Sequence, residues 1–195
     1  MESVQAAPLT VDDLLQLDTQ DRRFEVINGE IIEMQPTSIL HVIMMSNVFE
    51  ILKAYAVSHR LGFVFPDNLL YILHMDVETG VRETRSPDVS FVRKGRITRS
   101  TDLTRPFLGA PDLAVEVVSS GEDADMLLAK IRDYFAYGSE QVWVLYPTQR
   151  ELHQFIRGEK GARHYTDGDV LAAETLFPGL ALRINDLFAL PEVED

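Results

Sequence analysis

Asp112-Leu113-Ala114-Val115-Glu116-Val117-Val118 is the stretch on which the fold turns. Leu113, Val115 and Val117 alternate with Asp112, Ala114, Glu116 and Val118, and the run is rich in β-branched residues, so a period of two predicts a central strand. Directly downstream, Ser119, Ser120 and Gly121 with the acids Glu122 and Asp123 supply capping groups and partners for the positive end of a helix that stops at Gly138. Gln141–Tyr146 then reads as a second strand entering a turn at Pro147. Strand, helix and strand across 112–146 make a βαβ unit, whose strands run parallel. The fold class is therefore α/β.

Upstream, Thr10-Val11-Asp12-Asp13 is a capping box ahead of a short helix through Leu17. Phe24-Glu25-Val26-Ile27 and Glu30-Ile31-Ile32-Glu33 flank Asn28-Gly29, the pair best suited to the two positive φ angles of a type I′ hairpin. From Ser38 to Ser58 apolar residues recur at helical spacing, with Ser46, Glu50, Lys53 and Val57 on the wetter side and Met45, Val48, Leu52 and Tyr55 opposite, which predicts a largely buried helix. Apolar runs at Gly62–Phe65, Leu69–Leu73 and Asp88–Val92 are further strands, the last alternating Val89 and Phe91 against Asp88, Ser90 and Val92. Glu151–Ile156 and Ala162–Thr166 form a peripheral hairpin, and Asn185 is placed to cap a last short helix.

The 195 residues, 46% of them hydrophobic, suffice for one core, so a single domain over 1–195 is expected. With no cysteine, disulfides, zinc–thiolate sites and thiol nucleophiles are excluded. No cationic stretch precedes an apolar run in Met1–Thr10, and the apolar stretches are interrupted short of the ~20 residues of a membrane span. The expectation is a soluble, cytoplasmic protein with no membrane partner. A net charge of −13 argues against avid, non-specific nucleic-acid binding unless cations gather locally. One segment gathers them: Arg82, Arg85, Arg93, Lys94, Arg96, Arg99 and Arg105 oppose only Glu83, Asp88 and Asp102, giving +4 on both sides of the Asp88 strand. There it would grip phosphates; the alternative is a solvated loop balancing nearby acids.

Glu116 is the first residue that asks for chemistry, because its apolar strand neighbours leave little to stabilise a carboxylate. An edge position or a structural ion pair is the competing explanation. Asp88, after Pro87 at a strand start, is either a turn cap or a second inward carboxylate. Two such carboxylates suit a hard cation such as Mg²⁺, which takes oxygen ligands and retains several waters. Lys130 falls on the helical stripe of Leu127, Tyr134 and Tyr137, away from Arg132 and Asp133, so it points inward or snorkels. Glu25 is a further carboxylate whose hairpin face stays ambiguous, and His41, on the Met45/Val48 stripe, is either a core histidine or a support for the site. His153 and His164 face each other in the late hairpin, but no third zinc ligand accompanies them. Phosphate-binding glycine loops and the Gly-x-Ser-x-Gly elbow are absent from the sequence.

Phe24-Glu25-Val26-Ile27-Asn28-Gly29-Glu30, His41, Pro87-Asp88-Val89, Pro111-Asp112-Leu113-Ala114-Val115-Glu116-Val117-Val118-Ser119, Lys130…Tyr134…Gly138 and Val142-Trp143-Val144, in that order, resemble the Uma-two family of the PD-(D/E)XK nuclease superfamily. The resemblance spans about Leu9 to Phe188. It implies a restriction-endonuclease-like mixed sheet flanked by helices, with Mg²⁺, or Mn²⁺ in its place, held by Asp88, Glu116 and the main chain of Val117. It further implies a catalytic set of Asp88, Glu116 and Lys130, to which the reading of the residues adds Glu25 as a carboxylate orienting the metal shell and His41 as its support. The superfamily lysine usually stands two residues after the acidic residue, where this chain has Val118; the family takes it from the next helix, at Lys130. An aspartate common in the family before the proline of the last core strand is Tyr146 here. The implied activity is endonucleolytic hydrolysis of DNA, with a second copy of the chain as an open partner. A non-catalytic regulatory or protein-interaction module on the same fold is the alternative.

Overall fold

The computed structural model describes residues 8–18, 23–119 and 121–192. Ser120, read above as a capping residue, and Met1–Ala7 lie outside the described residues.

The chain begins with α1 (Val11–Asp18), opened by the expected capping box: the Asp13 N–H donates to Thr10 Oγ1 at 3.1 Å and the Thr10 N–H to Asp13 Oδ2 at 2.8 Å. Strands β1 (Phe24–Ile27) and β2 (Glu30–Glu33) form the hairpin, with Asn28 and Gly29 at φ 53° and 83°, both left-handed as a type I′ turn demands. Helix α2 (Ile39–His59) is capped by Ser38, whose Oγ accepts from the His41 N–H at 3.2 Å.

Next come β3 (Gly62–Pro66), β4 (Tyr71–Asp76), β5 (Gly80–Arg85), β6 (Val89–Arg93), β7 (Phe107–Leu108) and β8 (Leu113–Val117). Helix α3 (Ala124–Ala136), N-capped by Asp123, leads to β9 (Gln141–Tyr146). The hairpin β10 (Glu151–Ile156) and β11 (Ala162–Tyr165), then β12 (Val170–Ala172), β13 (Ala181–Arg183) and α4 (Ile184–Leu187), complete the order.

Six strands form one mixed sheet, β11-β10-β9-β8-β6-β3, in which β8 and β9 are parallel as the βαβ reading requires and the other neighbours are antiparallel. Helices cover both faces. Leu113, Val115 and Val117 of β8 pack with Met44, Val48, Leu52 and Ala56 of α2, while Ala114 packs with Leu127, Ile131 and Tyr134 of α3. The alternation in Leu113–Val117 thus sorts side chains between two helix layers, and Glu116 falls on the α3 side. A smaller sheet, β5-β4-β7, stands beside this layer and carries Arg85 toward the Asp88 turn.

Several expectations are corrected. Strand β4 starts only at Tyr71, leaving Leu69 and Leu70 outside it, and β5, β7, β12 and β13 have no counterpart in the sequence reading. Asn185 lies inside α4, whose N-cap position is Arg183; its side chain instead accepts the Gly168 N–H at 2.6 Å. Helix α2 is not largely buried: His41, Met44, Val48, Leu52 and Ala56 form the buried stripe, while Ile39, Val42 and Val57 are exposed. At 21 residues it is also long and apolar enough to cross a membrane by length and composition, which the sequence reading passed over. Here that stripe packs against the central sheet.

Candidate active site

Neighbouring strands β6 and β8 pair antiparallel, with Val89 opposite Val115, so Asp88 and Glu116 stand side by side where the ladder ends. Pro87 has no N–H and cannot extend that ladder. The Asp88 side chain does so in its stead: Oδ2 accepts the Val117 N–H at 2.7 Å, giving that buried donor its partner. Oδ1 meets Nε2 of His41 at 2.9 Å, and His41 Nδ1 lies 3.1 Å from Ser119 Oγ. Helix α2, through His41, and the end of β8, through the Val117 N–H, therefore fix the Asp88 carboxylate from two sides.

Glu116, one strand over, is buried and accepts from Lys130 Nζ at 3.0 Å on Oε2 and from the Tyr134 hydroxyl at 2.7 Å on Oε1. Lys130 and Tyr134 are one helical turn apart on α3, so one stripe delivers both donors. Glu122 Oε1 approaches Lys130 Nζ at 3.8 Å from the other side. Burial pushes the Glu116 carboxyl up to about 7, helped by the negative charges of Asp88 and Glu25 and opposed by Lys130 and the Tyr134 hydroxyl. Burial works against the Lys130 ammonium, but Glu116 and Glu25 outweigh it and the net shift is upward. Burial likewise lowers the His41 pKa, and the Asp88 hydrogen bond and charge overcome it, so its net shift is also upward.

Glu25, His41, Asp88, Glu116, Val117 and Lys130 all line one cleft of about 430 Å³. Glu25 does not share the others' hydrogen bonds. Its Oε2 accepts from Arg85 Nη1 at 2.9 Å and its Oε1 from the Ser86 N–H at 3.1 Å, while Arg85 Nη2 bonds Asp133. Arg85 thus clamps β1 to α3 beside the cleft, and Glu25 in turn holds the Ser86 main chain.

A family profile described as "Putative restriction endonuclease" and named Uma2 matches residues 11–185. The chain belongs to the Uma2 family. Among solved structures, one described as "a putative nuclease belonging to DUF820" from Anabaena variabilis resembles this Uma2 chain with a TM-score of 0.74 at 20% identity, covering 93% of this chain and 98% of that one. It shares the mixed sheet flanked by helices. A comparison with curated proteins returned no match.

Two parts of the sequence reading are corrected by this Uma2 site. Four of the seven cations in the cationic segment are engaged within the fold rather than free: Arg85 is buried with Glu25 and Asp133, Arg93 pairs with Glu140 and Asp112, Arg96 with Asp112, and Arg105 with Asp12 and Asp102. Moreover, the loop after Val92 follows the far end of β6, about 16 Å of extended strand from Asp88. Asp133, assigned to an outward face of α3, in fact turns in to Arg85. Tyr134 and Ser119 were noticed only as stripe and cap residues, yet each bonds a residue of the site. The signal was present in Tyr134, a hydroxyl on a buried stripe, which needs a partner once dry.

Among the described residues no three Asp, Glu, His or Cys side chains converge as a ready metal cage. The donor chemistry still fits a hard cation. Two adjacent carboxylates and a main-chain carbonyl at Val117 are oxygen donors of the kind Mg²⁺ takes while retaining its waters. Each carboxylate oxygen accepts one hydrogen bond and keeps a further lone pair.

Proposed function

We propose that this Uma2 protein is a metal-dependent endonuclease that hydrolyses phosphodiester bonds of DNA. One observation carries the reading: Asp88 and Glu116 stand side by side at the end of paired strands, with the Lys130 ammonium 3.0 Å from Glu116 and all three on one cleft. Like charges at such a distance repel, and a single lysine balances only one of them.

In this reading Asp88, Glu116 and the Val117 carbonyl hold Mg²⁺ or Mn²⁺, which when bound supplies Lewis-acid charge neutralisation at the phosphoryl group. His41, itself held by Ser119, keeps the Asp88 carboxylate turned toward the cleft. Lys130 offers its ammonium to a phosphoryl oxygen, where negative charge accumulates as water adds to phosphorus and the ester P–O bond breaks. Tyr134 holds Glu116 in place. Arg85 keeps Glu25 at the cleft wall, where its charge raises the demand for a cation.

The test is cleavage of single-stranded and duplex DNA in Mg²⁺ or Mn²⁺, with Glu116→Gln and Lys130→Met beside the wild type. Cleavage by the wild type alone, abolished by EDTA, is the expected result. Cleavage that persists in both variants, or its absence from all proteins with both metals, refutes the reading. One observation favours a non-catalytic regulatory module instead: all four carboxylate oxygens of Asp88 and Glu116 already have protein partners. Under that alternative, metal would change neither the thermal midpoint nor nucleic-acid integrity.

A further inference from the structure

The six-stranded sheet ends on two different edges. At one, β11 carries the exposed Arg163 and His164, charges of the kind that keep an edge strand from pairing with another chain. At the other, β3 reads Gly62-Phe63-Val64-Phe65-Pro66, without a charge in a chain that is 25% charged, and Phe63 is 46% exposed. Among the described residues β3 pairs only with β6. The ladder decides which of its main-chain groups stay open. The Leu61 C=O accepts the N–H of Lys94, directly after β6, at 2.8 Å, and directions alternate along a strand. Phe63 and Phe65 therefore also turn to β6, while Gly62, Val64 and Pro66 turn outward. The strand is anchored on both faces, Val64 against the α2 side of the core and Phe65 against Tyr71, Leu73 and Val92.

From this edge we infer that β3 is a docking surface for a second copy of this chain, two β3 strands pairing antiparallel about Val64 to join their sheets across a two-fold axis. The inference does not depend on the nuclease reading.

The edge is complementary to itself. In the register that overlaps the whole of both strands, the Val64 N–H of each copy meets the Val64 C=O of the other, and each Gly62 N–H meets the Pro66 C=O of the other. Every outward N–H thus finds an acceptor, and Pro66 has none to leave unsatisfied. Phe63 then stands opposite Phe65 of the second copy on one face. The Phe63–Phe65 stack, with rings 6.3 Å apart within one strand, is thereby extended across the junction. No like charges confront each other between Gly62 and Pro66. A pair of five-residue edges is small beside the ~1,200–2,000 Å² of a stable interface, and two chains of −13 repel. The dimer is therefore weak, with a Kd on the order of micromolar or above, and screening by salt strengthens it.

The test is sedimentation velocity of the full chain from about 1 to about 200 µM, a span that brackets weak association. A passage from monomer to dimer is expected, favoured by added salt. Phe63→Lys sets a charge on the open edge, and Val64→Pro removes an outward N–H without touching a bond to β6; each should leave a monomer throughout. Val77→Lys, at an exposed residue between β4 and β5, should dimerise as the wild type does. Hydrogen exchange of the wild type gives a readout that needs no variant. The Gly62 and Val64 amides should slow several-fold as the concentration rises, while those of Phe63 and Phe65, bonded to β6, stay protected throughout. If Val64→Pro proves unstable in a thermal melt, Phe63→Lys, at an exposed side chain, and the exchange pattern carry the test. A monomer at every concentration, or a dimer that survives these edge changes or that Val77→Lys dissolves equally, overturns the inference. So does association lost on adding salt, or exchange at Gly62 and Val64 that ignores concentration.

Discussion

Glu116 shows how one buried residue sets a pH dependence. Its folded carboxyl titrates at about 7 against a usual 4.5, so between those values the folded state holds a proton that the unfolded chain has released. Stability therefore falls as the pH rises through that window, by on the order of 3 kcal/mol from this group alone. His41, with its pKa also raised, adds stability below its unfolded value that is lost as the pH rises through the folded one, so the two effects share a sign. In EDTA, the urea midpoint of the wild type should drop between pH 5 and pH 7.5, and Glu116→Gln should drop distinctly less. At pH 7.5, Mg²⁺ should raise the wild-type thermal midpoint by linkage and leave that of Glu116→Gln unmoved. Equal behaviour of the two proteins would reject Glu116 as the cause. The sequence made Glu116 conspicuous because a carboxylate among valines is costly. It could not disclose Arg85, whose burial depends on two partners distant in sequence, Glu25 and Asp133.

The elements legible in sequence are those whose signal is local. Asn28-Gly29 specifies its own turn, Thr10 and Asp13 close their own cap, and the alternation of Leu113–Val117 follows from the two helix layers it faces. Strands such as β5 and β7 carry no such signal; β7 is two residues long and exists because β4 offers it an edge. Close strand approach is similarly non-local. In β3, a Cβ added to Gly62 would sit 2.2 Å from the Val92 carbonyl oxygen and 2.8 Å from the Phe91 ring. Gly62→Ala must therefore push β3 away from β6, at a cost of roughly 1–3 kcal/mol for overpacking a tight contact. Urea unfolding should show that loss, with Arg60→Ala, at an exposed helix end, as the comparison; an Ala variant as stable as the wild type would mean the strand edge yields freely.

At the scale of the molecule, the central sheet has two chemically different ends. Asp88 and Glu116 occupy one; Arg93, Arg96, Asp112 and Glu140 form an ion-paired cluster at the other. Sequence proximity suggested that the cationic loop and Asp88 act together, but an extended strand between them sends them to opposite ends. Neutralising Lys94 and Arg99, both exposed on that loop, should leave oligonucleotide affinity and its salt slope within error of the wild type. A slope flattened by the two changes would return the loop to the binding surface.

The Asp88 carboxylate that completes the strand ladder makes the Val117 amide a built-in spectroscopic reporter. Its proton shift in a heteronuclear NMR spectrum follows the charge on Oδ2 at 2.7 Å, so protonation of Asp88, or a cation drawing on that oxygen, should move this one backbone signal ahead of its neighbours. The occupancy of the site can then be followed without substrate or mutation.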